Sequence, residues 1–415
     1  MRVIKTTPIA STQDLSRRHR PRQRAAALGQ RAAVAALVAT LAVTGCSSEK
    51  KGELGQPGFV AGFAGMAAAE DPQAVLVARD ILAAGGSAAD AVIAMSLTMA
   101  VTLPSSAGLG GGGACAAWSA KSNKVEAVEF MAPGGLPAVP RGLYALHAKY
   151  GRLRWEAVVG PAENLARFGA PASRALLSDA VAAGPVAGQA LPMLRGRQEG
   201  DRFEQPELAA MLGRLRVRGA GEFYTGETAR ELAKAIAAAG GRATAEQLRT
   251  YAPTVSPGHS VPAGNNVAVA TAPPVSSAAS NPPAADTSFV ALDGEGGVAA
   301  CAQTMGKPFG TGRVAPGTGI VLADLSGATA PVAAVVVNTN AKEPRAALGA
   351  VGGQAGSLLA AAVAAVEAGQ KAPDLLIPGN GMQAITCGSG RISATRCDVA
   401  TDPQGHGLGM AFGRE

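Results

Sequence analysis

Aromatic side chains are scarce in this chain, at 4% of 415 residues. Its core therefore has to be packed from Ala, Val and Leu, and the 47% apolar content supplies enough of them for a globular fold. Histidine is scarcer still. The four present are scattered without paired ligand spacing, so no metal site is visible and no cofactor is expected. A Gly-x-Ser-x-Gly nucleophile motif is absent. The amino-terminal apolar run, AAVAALVATLAV (Ala32–Val43), has 12 residues, too few to span a bilayer, which takes about 20. A basic surface is missing too, although the whole chain carries a net charge of +7. Residues 1–45 hold eight Lys or Arg and one Asp, which leaves 29 residues of each sign in the rest. Nucleic acid is thereby excluded as a partner.

What is present begins with an export signal. A polar, basic stretch over residues 1–31 is followed by the 12-residue apolar run and then by VTGC, Val43 to Cys46. The order is that of a secretory signal, and VTGC resembles a bacterial lipobox. This implies a lipoprotein-type signal peptide over residues 1–45, a lipid on Cys46 and a polar tether over residues 46–59. The expected location is the periplasmic face of a bacterial envelope, lipid-anchored to the membrane, and Ser47 favours the outer membrane. Cys115 and Cys301 sit inside apolar stretches and read as buried, inert thiols. Cys387 and Cys397 flank a short Gly/Ser/Arg loop, and in an exported chain such a pair is expected to be a disulfide.

Pro72 opens a helix that Gly85-Gly86 stops, and Ser87 with Asp90 caps a second one ending before Pro104. Gly108, Gly110 and Gly113 formally satisfy GxGxxG. A proline and two serines precede them rather than a strand, so they read as a turn packed closely against a neighbour. Lys124–Phe130 alternates as a strand does. Residues 141–250 read as mostly helical, with Thr244 and Glu246-Gln247 opening one of the helices. From Val267 short apolar runs alternate with glycine-rich turns. The first half is thus expected to be largely helix and the second half sheet, with helices covering sheet layers. One junction stands out. In PPAADTSFVALD (Pro282–Asp293) a strand-like run begins directly behind Asp286-Thr287-Ser288.

Several segments, in order, resemble the gamma-glutamyltranspeptidase family. VLVARDILAAGGSAADAVIAMSLTMAVTLPSSAGLGGGG is similar to its amino-terminal signature, and residues 199–251 to its helical middle. TAPPVSS resembles its proline-serine strand end. The stretch from Asp286 to Leu322 is similar to the start of its small subunit, and LGAVGGQAG to its glycine-pair loop. The resemblance implies an α+β, four-layer helix–sheet–sheet–helix sandwich of the N-terminal nucleophile hydrolase type. It also implies self-cleavage between Asp286 and Thr287 into a large-subunit-like segment (60–286) and a small-subunit-like segment (287–415).

On that resemblance Thr287 is the nucleophile, Thr304 orients it, and the Gly352 and Gly353 N–H groups form the oxyanion hole. The chemistry is coherent. A threonine hydroxyl needs a base, and a freed α-amine, with a pKa of about 7.7–8.0, is suited to that task. The implied activity is acyl transfer from γ-glutamyl amides such as glutathione, or from another small-molecule amide, to an amine or to water. Five differences stand against the family pattern, one being that AASNPPAA replaces the helical segment it places before the nucleophile. Met131-Ala132-Pro133 replaces its substrate-binding arginine, Gly306 an asparagine, and Asp324-Leu325 its paired acids. Thr329-Ala330 stands where it has adjacent serines. An ungapped count back from Asp293 puts Asp286 at the nucleophile position, and a one-residue gap restores Thr287. The gap is preferred because aspartate cannot perform this reaction. The rival expectation is a non-catalytic envelope lipoprotein that keeps the fold.

Overall fold

Small side chains decide how closely layers approach, and strand β1 (Gly65–Ala69, GMAAA) is buried on both faces. In the computed structural model, which describes residues 62–273, 285–328 and 331–413, β1 lies within a seven-stranded antiparallel sheet. Its companions are β2 (Gly112–Ser119), β3 (Lys124–Phe130), β4 (Thr254–Ser256), β7 (Asp286–Asp293), β8 (Val298–Thr304) and β13 (Leu408–Phe412). They run in the order β13-β1-β7-β8-β2-β3-β4. A second, six-stranded sheet uses β5 (His259–Ala263), β6 (Asn266–Ala270), β9 (Val332–Asn338), β10 (Glu343–Ala350), β11 (Gln383–Cys387) and β12 (Cys397–Thr401). Its order is β12-β11-β10-β9-β6-β5, again antiparallel throughout.

Strand alternation sorts the side chains into layers. Val290 and Leu292 of β7 pack with Val335, Val337 and Ile385 of the second sheet, so one apolar layer lies between the sheets. Phe289 and Ala291 point the other way, into the core formed with helices α1 (Pro72–Ala83) and α2 (Ala88–Thr102). Every residue of α2 is buried, as its all-round apolar sequence AADAVIAMSLTMAVT requires. On this side α3 (Val139–Tyr150), α4 (Trp155–Phe168), α5 (Arg174–Ala183), α6 (Pro206–Arg218) and α7 (Gly226–Ala238) complete the cover. The far face of the second sheet packs against α8 (Ala355–Glu367) through Leu348, Val336 and Leu359. The order of layers is helix, sheet, sheet, helix.

Local signals explain the first helices. The Asp71 carboxylate accepts the Ala74 N–H at 3.1 Å and the Thr102 hydroxyl at 2.9 Å, which ties the start of α1 to the end of α2. Ser87 and Asp90 form a reciprocal capping box, a device worth about 1 kcal/mol. The glycine-rich stretch is a close-packed turn as read: a Cβ on Gly110 would lie 2.2 Å from the Val321 carbonyl oxygen.

Two expectations are corrected. The first half is largely helix and supplies the expected strand β3, but it also gives β1 and β2 to the sheet that holds β7 and β8. Alanine-rich strands such as GMAAA and GGACAAWS carry no β-branched signal, and their pairing partners lie far along the chain. Nor are Cys115 and Cys301 free thiols. They sit directly opposite each other on β2 and β8 and are joined by a disulfide. Cys387 and Cys397 are also bonded, across β11 and β12.

The described residues form one compact unit. Cys46, the residues before it and Thr329-Ala330 lie outside the described residues. Among the described residues no helix is long and apolar enough to cross a membrane, and no group of three or more His, Cys, Asp or Glu is arranged to hold a metal ion.

Candidate active site

The register of β7 against β8 settles which side chains meet. Asp286 pairs with Thr304, Thr287 with Gln303 and Ser288 with Ala302. Paired residues of antiparallel strands share a face. Gln303 donates its side-chain amide to Ser96 of α2 at 2.8 Å, which marks its face, and that of Thr287, as the helix side. Ser288 donates to the carbonyls of Gly349 (3.1 Å) and Gly381 (2.9 Å), which marks the other face as the side of the second sheet. Asp286 and Thr304 share that second face.

Asp286 therefore occupies the position toward which the other candidate residues converge. Its carboxylate accepts the Gly352 N–H at 3.1 Å. Burial pushes the Asp286 carboxyl up from its ordinary value, while bonds from the Thr304 hydroxyl and the Gly352 N–H pull it back. Gly352 adopts φ +80°, a left-handed conformation that glycine takes at little cost. Gly352 and Gly353 line a cleft of about 480 Å³ together with Glu70, Asp286, Gln383 and Asp402. No Lys or Arg is among the described residues lining it. A larger cleft, about 640 Å³, opens beyond the carboxyl end of β7 beside Arg152, Arg391 and Arg396, and holds none of the candidate residues.

Thr287 is not brought into this group. It is fully buried, and its hydroxyl has no hydrogen-bond partner. Leaving a buried hydroxyl unpaired costs about 1–3 kcal/mol, so the position calls for an explanation. The alternation of the strand is the physical reason for the separation, since neighbours at 286 and 287 must face opposite sides. Of the residues singled out from sequence, the structure thus assembles Asp286, Thr304, Gly352 and Gly353, and it turns Thr287 toward the helices.

Three cleft residues were missed. Glu70 directly follows β1 and is partly buried. Its pKa rises from 4.5 to about 7, first through burial and then through repulsion by Asp179, with smaller contributions from Asp402 and Asp71; contact with Thr287 lowers it somewhat. Asp402 fastens the loop opposite, accepting N–H groups from Gly379 (2.9 Å), Gly381 (2.6 Å) and Gln404 (2.9 Å). Gln383 is buried in the cleft wall and its side-chain oxygen has no partner. The one signal for Glu70 was an acid set between an all-apolar strand and an N-cap aspartate. Nothing in the order of residues links it to position 287.

A cleft at the edge of a two-sheet sandwich, with the Gly352 N–H aimed at the first residue of a central strand, sets this chain among mixed α+β proteins with antiparallel sheets. Comparison with known proteins specifies it further. Residues 74–134 and 130–281 match the gamma-glutamyltranspeptidase family model, and the chain belongs to that family. It is 30% identical over 216 residues to the glutathione hydrolase proenzyme of Pseudomonas aeruginosa, covering 45% of this chain and 39% of that one. To the Escherichia coli K12 glutathione hydrolase proenzyme it is 31% identical over 223 residues, covering 45% and 38%. The aligned part spans under two fifths of the length of these relatives. The family match ends at residue 281, before Asp286. Among solved structures, cephalosporin acylase from Bacillus halodurans superposes with a TM-score of 0.71 at 17% identity, over 89% of this chain and 100% of that one. That likeness concerns the fold: a mixed α+β arrangement with antiparallel sheets.

Proposed function

We propose that this chain is the precursor of a glutathione hydrolase-like amidohydrolase of the N-terminal nucleophile type, which matures by cutting itself between Asp286 and Thr287. One observation carries the reading: the first residue of β7 meets the Gly352 N–H and the Thr304 hydroxyl at a cleft. In the uncut chain that donor is taken by the Asp286 carboxylate, so the precursor is inactive. Cleavage makes Asp286 a chain end and releases its hold on Gly352. It also gives Thr287 a free amine, a base on the same residue as the hydroxyl it activates. Thr287, now the first residue of the strand, has to turn from the helix side toward the cleft. Its hydroxyl then attacks an amide carbonyl, and the Gly352 and Gly353 N–H groups stabilise the oxyanion, each such donor contributing roughly 3–4 kcal/mol. Water or an amine takes the acyl group from the ester. Carboxylates in the cleft suit the α-ammonium of a γ-glutamyl group, while its α-carboxylate finds no Lys or Arg among the described lining residues.

A second reading is favoured by the same Asp286 bond. If the chain is never cut, a carboxylate sits permanently where the nucleophile belongs, and the protein is a non-catalytic envelope lipoprotein of this fold. Under both readings residues 1–45 direct export and Cys46 carries the lipid.

The two readings part on a reducing gel of exported protein, with amino-terminal sequencing of the smaller piece. The enzyme reading expects a fragment beginning at Thr287, hydrolysis of a chromogenic γ-glutamyl anilide, and loss of both in Thr287→Ala. A folded, intact chain without activity sinks the enzyme reading and leaves the second.

A further inference from the structure

Self-cleavage needs a base before the α-amine exists, because in the precursor that nitrogen is the amide of the bond to be cut. The neighbouring polar groups are committed elsewhere. Asp286 is held by Gly352 and Thr304, and Gln303 and Ser96 are bonded to each other. What lies beside the buried, unpartnered Thr287 hydroxyl is the Glu70 carboxyl. Ala69 pairs with Phe289, so Glu70 stands beside the start of β7, and the Thr287 hydroxyl lies near enough to lower the Glu70 pKa without the geometry of a made hydrogen bond. Glu70 also lines the cleft, so water and protons reach it.

We propose that Glu70 is the general base of precursor cleavage. The assignment rests on the processing reading above and adds a residue to it. Glu70 takes the proton from the Thr287 hydroxyl as that oxygen bonds to the Asp286 carbonyl carbon, and the carbonyl oxygen takes up the negative charge. The intermediate collapses with loss of the bond to the Thr287 nitrogen. The departing nitrogen takes the proton back from Glu70, leaving an ester between Asp286 and the Thr287 oxygen. Water then splits the ester, yielding the Asp286 carboxyl group and restoring the Thr287 hydroxyl. The balance is one water consumed and one peptide bond broken, with Glu70 regenerated.

The surroundings suit the task. A base works best with a pKa near the operating pH, and burial together with Asp179, Asp402 and Asp71 brings Glu70 to about 7. Asp286 lines the same cleft, and His406 acts on Asp179 from the adjoining loop. No positive side chain is among the causes that shift Glu70, so its carboxyl can be neutral or charged near neutrality.

The test is cell-free synthesis of the full chain under oxidising conditions, with fragment appearance followed on reducing gels between pH 5.5 and 9. The wild-type rate should rise with a midpoint near 7. Glu70→Gln should cut about 10²–10⁴-fold more slowly and lose that midpoint, which is the usual worth of a general base. Glu70→Asp should keep the midpoint at a reduced rate. Wild-type cleavage with an unchanged rate and profile in Glu70→Gln overturns the Glu70 assignment and leaves the processing reading standing. Equal failure of both variants together with a lowered melting temperature also overturns it, as a purely structural role. A folded wild-type chain that never cuts removes the assignment and the processing reading together.

Discussion

Asp286 and Thr287 are bonded neighbours that look in opposite directions, and most of the chemistry turns on that. Side-chain chemistry alone favours Thr287, since a carboxylate does not serve as the nucleophile here. Strand geometry places Asp286 in the cleft, because Asp286 pairs with Thr304 and Thr287 with Gln303. Glu70 adds a consequence that can be measured as stability. Its folded pKa lies above its unfolded value, so its neutral form is the one the fold prefers. The stabilisation from Glu70 is therefore complete below about pH 4.5 and is lost as pH rises through about 7. A shift of this size corresponds to about 3 kcal/mol. In a Thr287→Ala background, which keeps the chain uncut, urea unfolding should show stability falling between pH 5 and 8. Glu70→Gln should remove that part of the fall and be the more stable protein at pH 8. Parallel curves for the two proteins would contradict the burial of a titrating Glu70.

Between elements, the disulfide from Cys115 on β2 to Cys301 on β8 has a direct bearing on cleavage. On the proposed cut one cysteine falls in each product, so a cut chain would stay covalently joined. Without reductant, cut protein should migrate as one species on a denaturing gel, and with reductant as two. Cys301→Ala should yield two species under both conditions. It should also destabilise the uncut chain, by about 5 kcal/mol in the chain-entropy account of a loop this long. Two bands from the wild-type protein without reductant would show that the bridge is absent. At this scale the sequence was readable where signals are local: the stop at Gly85-Gly86, the Ser87–Asp90 capping box and the Thr244–Gln247 box all form. It was not readable for β1 and β2, whose alanines and glycines express no preference until a neighbouring strand is beside them.

For the whole molecule, the layers place the ends of β1, β7 and β8 together, although β1 and β7 lie more than 200 residues apart in the chain. The amino-terminal segment gives the remaining prediction. With lipid on Cys46, the protein should sediment with membranes, and Cys46→Ala should move it to the soluble fraction. Membrane association unchanged by that substitution would refute the anchor.

The sequence by itself determined family membership and the local helix boundaries, and it put forward Thr287, Thr304, Gly352, Gly353 and the Asp286–Thr287 junction as candidates, because motifs and caps act over a few residues. The structure extends the strand back to Asp286, and alternation then turns Asp286 and Thr287 to opposite sides. Which of the two enters the cleft was decided only by the register of β7 on β8. That register is selected by burying Phe289 and Ala291 against the helices and Val290 and Leu292 between the sheets. The approach of Glu70 to Thr287 and the pairing of Cys115 with Cys301 were likewise tertiary decisions. Each joins residues whose nearness exists only after non-local strands have paired, and no local propensity encodes it.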